Sequence, residues 1–413
     1  MSKTLVGAAM FAQSGGPTAV INASAYGVLK TALEAAEITN VYGAANGIVG
    51  ILGDKIYDIG AEDADELALL MNTPSSELGS CRYKLKSAAD DDTDYKKLLE
   101  VFRRLDVRYF FYNGGNDSMD TCNKISAYMQ SVGYECRVMG IPKTIDNDLC
   151  GTDHSPGFGS AAKYIATSVA EIHKDNNVYN TGSVTIVETM GRHAGWLAGA
   201  AALAGVAGCA PDFVYLPEVA FDMEKFVADV KSVYDATGKC LVAVSEGIAY
   251  ENGEFVSEAK ASATDGFNHA HLGGLAAILA EVIKTRLGAK VRGIELSLLQ
   301  RCGAHLASKT DLDEAFGVGE FAVREAIAGE TDKMVVINRA DGAEYRAELA
   351  TQPLSMAANS EKKVPREWIN AADNGVTQEF FDYALPLIAG EPERVFEHGL
   401  PRFARLKKVL VGS

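Results

Sequence analysis

One repeated pattern of letters constrains this chain more than any other feature. A short apolar run of strand type is followed by a loop rich in Gly, Asp, Ser or Thr, and then by a helical spacing of apolar residues. Residues 5–13 lead into Ser14-Gly15-Gly16-Pro17-Thr18 and a helical pattern over 19–36. Residues 107–113 lead into Gly114-Gly115-Asn116-Asp117-Ser118 and a helix to Met129. The runs at 137–141, 183–189 and 241–244 precede Pro142-Lys143-Thr144-Ile145-Asp146-Asn147-Asp148, Met190-Gly191-Arg192 and Ser245-Glu246-Gly247 in the same way. This is βα alternation, which builds parallel sheets covered by helices. Ligands of such sheets sit beyond the carboxyl ends of the strands, where these polar loops fall.

Composition narrows the function. At 413 residues the chain has room for two or three domains with a sizeable core, and 47% hydrophobic with 23% charged residues excludes a disordered chain. The formal net charge of −16 repels polyanions, so no nucleic-acid partner is expected and an anionic ligand must be held by a local cluster of donors. Seven scattered cysteines without a CxxC pair argue against a zinc site or a disulfide framework and fit a cytoplasmic location. The apolar letters after Lys3 read as a strand entering a Gly-rich turn rather than as a leader. The small-apolar run at 194–210 is broken by glycines and too short for a membrane span; it reads as a buried helix and its exit loop.

Other features have plain explanations. Asp90, Asp91, Asp92 and Asp94 precede a helical stretch at 95–105 and read as its start rather than as a metal cluster. His269 and His271 have no nearby third ligand. Beyond residue 331 the motifs thin to a strand-like 334–337, an amphipathic 379–388 and a basic end with Arg402, Arg405, Lys407 and Lys408, which reads as a solvated face.

The loops themselves suggest phosphate chemistry. A bound phosphate needs several converging N–H groups, which paired glycines before a helix supply. Two such loops in one chain point to an extended phosphorylated ligand, while the absence of GxxxxGK[ST] and of GxGxxG weighs against P-loop and dinucleotide readings. Asp146 and Asp148, two residues apart after a strand, offer a base for a hydroxyl attacking phosphorus, or else merely shape an Asx-rich turn. Lys143 beside them favours chemistry. Arg192 and Arg301 offer guanidinium forks for a sugar phosphate, and Glu246 an acceptor for sugar hydroxyls.

Together with Leu78-Gly79-Ser80-Cys81-Arg82 and Gln300-Arg301-Cys302-Gly303, these blocks resemble, in order and spacing over roughly residues 4–350, the phosphofructokinase family. Two positions resemble its pyrophosphate-dependent branch: GGNDS where ATP-using bacterial members typically have GGDGS, and PKTIDND where they have PGTIDND. The physics agrees, because a carboxylate at Asp117 intrudes where the α-phosphate of ATP would pass, and Lys143 brings a cation to a small, highly charged donor.

The resemblance implies an α/β protein of two doubly wound, mainly parallel-sheet domains with the active site in the cleft between them. Residues 1–157 would form a donor-binding domain, rejoined at about 308–350. Residues 158–307 would form a sugar-phosphate-binding domain, and 351–413 a C-terminal extension. It also implies Mg²⁺-dependent transfer of phosphate from pyrophosphate to the 1-hydroxyl of fructose 6-phosphate, in a homo-oligomer, dimer or tetramer. Position by position, Gly16, Arg82, Asn116, Asp117, Ser118 and Lys143 surround the donor, and Asp146 is the base. Thr144, Asp148, Met190, Gly191, Arg192, Glu246 and Arg301 match the sugar-phosphate positions, with Arg301 expected to reach a neighbouring subunit's site.

There are departures. The metal position falls on Asn116, where the family pattern has Asp, so a carboxylate contact to Mg²⁺ must come from elsewhere, from Asp117 or, through water, Asp146. Ser183 stands where shorter ATP enzymes carry an arginine that crosses the subunit interface. An ATP-dependent phosphofructokinase and a silent phosphosugar-binding subunit are the rival readings; intact Asp146, Asp148, Arg192 and Lys143 argue against the second.

Overall fold

The computed structural model describes residues 5–257, 274–342, 344–357 and 361–412. His269 and His271 lie outside these residues.

Six of the strands fall on the predicted runs, and those at 38–44, 56–58, 213–215, 291–295 and 347–353 are additions to the sequence reading. In chain order they are β1 (Gly7–Gln13), β2 (Ile38–Ala44), β3 (Ile56–Asp58), β4 (Val107–Gly114), β5 (Arg137–Pro142), β6 (Ser183–Thr189), β7 (Phe213–Tyr215), β8 (Lys239–Ser245), β9 (Val291–Glu295), β10 (Lys333–Arg339) and β11 (Ala347–Pro353). Among the described residues they form a seven-stranded sheet of order β11-β10-β5-β4-β1-β2-β3 and a four-stranded sheet of order β7-β8-β6-β9, and a separate two-stranded pair joins Phe396–Glu397 to Leu400–Pro401. The inner pairings of the first sheet are parallel and its two edge pairs, β2–β3 and β10–β11, antiparallel; the second sheet is parallel throughout. Strands buried on both faces explain the unbroken apolar runs: every residue of β1 is buried, as are Phe110, Phe111 and Tyr112 of β4.

Helices cover both faces. Ile21–Glu34 and Lys309–Ala328 cross at glycines, since a Cβ on Gly27 would lie 2.1 Å from the Phe316 carbonyl oxygen and one on Gly319 2.2 Å from that of Ser24. The helix expected to end at Met129 runs Asn116–Ser131, and the acidic run at 90–92 precedes a helix at Thr93–Arg104, with Asp91 accepting from the Thr93 N–H at 3.2 Å. The 194–210 run is a short helix, Trp196–Ala200, continued by a 3₁₀ stretch, Ala201–Ala207, and buried through Ala204. No helix among the described residues is long and apolar enough to cross a membrane.

Strand order positions the site. Strand β1 pairs with β2 on one side and β4 on the other, so the winding reverses there and the loops after β1 and β4 open side by side. Strand β6 has the same place between β8 and β9. The two switch points face one cleft.

The C-terminal stretch corrects the sequence reading. Leu354 and Ala357 pack into the core of the first sheet, whereas Val364, Ile369, Phe380, Tyr383 and Leu387 belong to the core beside the second. The basic end is docked rather than solvated. Arg402 pairs with Glu66, Lys407 with Asp63 at 2.8 Å and Lys408 with Glu77 at 2.8 Å, while Asp58 and Val411 exchange backbone bonds with Val409 and Ile56 at 2.9 Å each. Its charges match the acidic segment beside β3, a complementarity between distant segments that a linear reading does not expose.

Candidate active site

The first phosphate loop leaves β1 at Ser14, whose N–H donates to Asn113 at 2.8 Å, and turns at Gly15 (φ 75°), whose N–H donates to the Cys81 carbonyl at 3.0 Å. Gly15 is required by its backbone, whose φ favours glycine, and the pair lets two cations come close: a Cβ on Gly15 would lie 3.2 Å from Lys143 Nζ and one on Gly16 3.4 Å from an Arg301 Nη. The second loop leaves β4. A Cβ on Gly114 would overlap Ser118 Oγ at 2.0 Å, and the Asn116–Ser131 helix starts there with Asp117 in its first turn.

Lys143 is buried against the first loop, its Nζ donating to the Gly16 carbonyl at 2.7 Å. Thr144 Oγ1 accepts from the Asp146 N–H at 3.1 Å, fixing the start of the base loop. Asn147 follows at φ 55°, turning the chain between the two carboxylates, and Asp148 accepts from Asn116 Nδ2 at 3.1 Å.

Across the cleft, Gly191 adopts φ 124° and donates to Glu246 Oε1 at 3.3 Å, Met190 N–H donates to Gln300 Oε1 at 3.1 Å, and the Ser245 hydroxyl donates to the Gly191 carbonyl. A Cβ on Gly247 would lie 1.9 Å from the Arg192 carbonyl oxygen, so the loops after β6 and β8 touch only because that residue is glycine.

Two adjoining cavities result, of about 610 and 520 Å³, sharing a floor of Gly16, Arg82, Lys143, Thr144, Asp146 and Asp148. Met190, Arg192, Glu246 and Arg301 line the first; Asn116, Asp117 and Ser118 line the second. The site residues expected from sequence thus meet in one cleft, with Gly191 behind it holding Glu246. Arg301 lines the first cavity together with Lys143 and Asp146, because the short helix Leu299–Cys302 beyond β9 ends over the same cleft.

Burial dominates the electrostatics. It pulls the Lys143 ammonium down to about 8 despite Asp146 and Asp148, and pushes Glu246 up to about 7, with Asp146 adding to the rise. Burial and the Asp148 carboxylate push Asp146 well above the usual carboxylate range; burial likewise raises Asp148, and burial and Arg82 lower Arg301. Buried carboxylates and buried cations packed this closely favour ligands that bring both signs, phosphate and a cation.

The fit of a divalent cation can be tested on the donor cavity. The Oδ1 of Asn116 is buried and takes part in no hydrogen bond, and Asp117, Asp120 and Asp148 line the same space. Oxygen donors of this kind suit Mg²⁺. No group of three or more His, Cys, Asp or Glu side chains among the described residues could hold a metal by itself. The arrangement fits an ion that keeps its waters and shares phosphate oxygens with its ligand.

The family described as Phosphofructokinase matches residues 8–324 of this chain. The chain belongs to the phosphofructokinase family. It is 46% identical over 404 residues, covering 97% of this chain and 96% of the relative, to a pyrophosphate--fructose 6-phosphate 1-phosphotransferase of Halomonas elongata. It is 47% identical over 408 residues, covering 98% and 97%, to the protein of the same name from Xanthomonas campestris pv. campestris. The crystal structure of a pyrophosphate-dependent phosphofructokinase from Marinobacter aquaeolei superposes with a TM-score of 0.89 at 42% identity, covering 99% of this chain and 98% of that one. Phosphofructokinases generally use Mg²⁺ for phosphoryl transfer, in keeping with the donor set above.

Sequence reasoning missed part of the cleft. Glu361, beyond the stretch matched to the phosphofructokinase family, lines both cavities, and Glu188 and Glu295 line the acceptor cavity. Glu188 accepts from the Ala276 N–H at 2.8 Å, and burial pushes it up to about 7. A charged letter inside an apolar strand was the available signal for Glu188; nothing near Glu361 announces it.

Proposed function

We propose that this protein is a pyrophosphate-dependent phosphofructokinase, which transfers a phosphoryl group reversibly from diphosphate to the 1-hydroxyl of D-fructose 6-phosphate, giving fructose 1,6-bisphosphate and phosphate in glycolysis. The observation that carries the reading is the donor cavity, where Asp117 and Lys143 flank the two phosphate loops. Near full-length relatives bearing that activity in their names support it. The first sheet and its helices serve as the donor lobe, the second as the acceptor lobe. The free cysteines support a cytoplasmic enzyme, and β9, an edge strand of the second sheet among the described residues, supports a homo-oligomer.

In the mechanism, the N–H groups around Gly16 and the start of the Asn116–Ser131 helix hold diphosphate, with Arg82 and Lys143 neutralising its charge. Arg192 and Arg301 hold the 6-phosphate of the sugar, Glu246 accepts from its hydroxyls, and Thr144 and Asp148 fix the approach of the 1-hydroxyl. Asp146 takes the proton of that hydroxyl as its oxygen bonds to phosphorus. The bond from phosphorus to the bridging oxygen breaks, and phosphate leaves beside Lys143. Asn116, with Asp117 or Asp146 through water, would hold Mg²⁺, whose charge offsets that of the phosphate oxygens.

The test is a donor assay. Fructose 1,6-bisphosphate formation is measured with pyrophosphate and with ATP at equal Mg²⁺, and pyrophosphate is expected to give much the larger kcat/KM. Comparable or better use of ATP would overturn the donor assignment.

A further inference from the structure

The base loop has two sides. Asp146 and Asp148 face the cleft, whereas Asn147 between them is fully buried and points away from it. Asn147 Oδ1 accepts from the Ser155 N–H at 3.0 Å, and its Nδ2 donates to the hydroxyl of Tyr383 at 2.7 Å. That hydroxyl donates onward to the Asp153 carbonyl at 2.7 Å. Lys362 Nζ donates to the same carbonyl at 2.6 Å and to that of Thr152 at 3.3 Å, and reaches Asn147 Oδ1 at 3.5 Å. Its ammonium lies 5.1 Å from the centre of the Trp196 ring.

The same segment also holds the loop through its backbone. The Lys362 N–H donates to the Asp148 carbonyl at 2.7 Å, and Leu149 bridges Glu361 in antiparallel fashion. The Lys362 carbonyl accepts from Trp196 Nε1 at 3.0 Å. Two residues on, the Val364 N–H donates to Glu218 Oε1 at 3.0 Å, and that oxygen also accepts from the Gly195 N–H at 2.8 Å, just past Arg192. The segment from Glu361 to Val364 thus ties the loop carrying the base to the loop carrying the sugar-phosphate arginine, although both it and Tyr383 lie outside the family match at 8–324.

We propose that Lys362 and Tyr383 are positioning residues for phosphoryl transfer, holding Asn147 in its turn so that Asp146 meets the 1-hydroxyl of the acceptor bound on the opposite loop. The inference rests on the function proposed above and deepens it. Asn adopts φ 55° more readily than other residues with a side chain, so the turn itself is accessible, and what fixes its orientation here is that both ends of its amide are engaged. Neither Lys362 nor Tyr383 lines the cavities, so loss of either side chain acts through the base loop, while Arg192, Glu246 and Arg301 stand on the opposite side of the cleft.

The experiment compares Tyr383→Phe, Lys362→Met and Lys362→Arg with Leu203→Ala, a change in the same core at a residue that lines neither cavity. For each, kcat and both KM values are measured with pyrophosphate and fructose 6-phosphate, together with Tm and hydrogen–deuterium exchange over residues 144–153. Tyr383→Phe and Lys362→Met are expected to lower kcat tenfold to on the order of a hundredfold, the scale of a small misplacement of reacting groups, with both KM values near wild type. Exchange at 144–153 should rise, and Lys362→Arg should restore part of kcat. Leu203→Ala should lower Tm and leave kcat unchanged. Unaltered kcat in Tyr383→Phe and Lys362→Met, or a fall matched by Leu203→Ala, would overturn the inference while wild-type activity leaves the proposed function standing. A wild type inactive with pyrophosphate would overturn the function and the inference together. If Lys362→Met does not fold, Tyr383→Phe, which keeps the ring and loses only the hydroxyl, decides the matter.

Discussion

Lys143 Nζ donates to the Gly16 carbonyl oxygen across 2.7 Å, so the cation of the base loop is set from within the protein against the first phosphate loop. Burial lowers its pKa to about 8. The ammonium is therefore charged below that pH and loses its charge as pH rises through it. In the free enzyme, kcat/KM for pyrophosphate should fall on the alkaline side of about pH 8, and Lys143→Arg, which stays charged, should move that limb upward. Lys143→Met should lower kcat/KM at every pH. A pH profile with an unmoved limb in the Arg variant would assign the titration to another group.

Asp146 lines both cavities and its backbone N–H is pinned by Thr144 Oγ1, the placement a base needs. Asp146→Asn keeps the shape and removes the proton acceptor. Its kcat should fall by ~10²–10⁴, with the KM for fructose 6-phosphate within a few-fold of wild type. Near-normal turnover would reduce Asp146 to a turn residue.

How much of this was legible in the sequence follows from what kind of signal each part leaves. The loops after β1, β4, β5, β6 and β8 carry their own signatures, because local turn geometry and phosphate binding both demand glycine or short polar residues at fixed offsets. Gly15, Gly114 and Gly191 show that demand directly. The C-terminal contributions leave no such mark. Lys362, Tyr383 and Glu361 act through contacts with residues more than two hundred positions away, and Arg402 and Lys407 read as solvated until Glu66 and Asp63 are placed opposite them. Arg301 was legible as a candidate guanidinium fork, whereas its place beside Lys143 and Asp146 depends on where the short helix beyond β9 ends.

Glu188 gives a stability test independent of catalysis. Burial raises its pKa from 4.5 to about 7, so its burial costs nothing below the unfolded value, where it is protonated in both states; stability is lost as pH rises through the folded value. Glu188→Gln keeps an acceptor for the Ala276 N–H and removes the charge. The variant should be more stable than wild type at pH 8, by no more than about 3 kcal/mol, and no more stable near pH 4. Thermal unfolding at the two pH values checks this, and an equal change at both would refute the electrostatic account.

Arg301 and Arg192 supply guanidinium groups on the acceptor side of the cleft, in a chain whose net charge of −16 otherwise repels a sugar phosphate. Arg301→Ala should raise the KM for fructose 6-phosphate by roughly ten- to a hundredfold, the worth of one or two charge-assisted hydrogen bonds, and that for pyrophosphate much less. Because Gly16 lies close to Arg301, a larger rise for pyrophosphate is the alternative, and it would move Arg301 to the donor side.

The proposed donor choice turns on Asp117, in the first turn of the Asn116–Ser131 helix and on the wall of the second cavity. An ATP in this cleft would lead its α-phosphate and ribose past that carboxylate, where two like charges in a poorly solvated space repel by several kcal/mol. In the proposed binding mode the α-phosphate and ribose of ATP, which pyrophosphate lacks, are the groups that meet Asp117. Asp117→Gly should therefore weaken turnover with pyrophosphate and let ATP bind measurably, and Asp117→Gly with Lys143→Gly should shift the preference further. Asp117 also favours the helix dipole, and glycine is a poor helix former, so a fall of about 1–2 kcal/mol in stability is expected whatever the donor effect. Stability alone thus does not separate the readings; the ratio of kcat/KM for the two donors does. If Asp117 only starts the helix, Tm drops and the ratio stays. If it excludes the nucleotide, the ratio moves toward ATP, and it does so at pH values where the variant is fully folded.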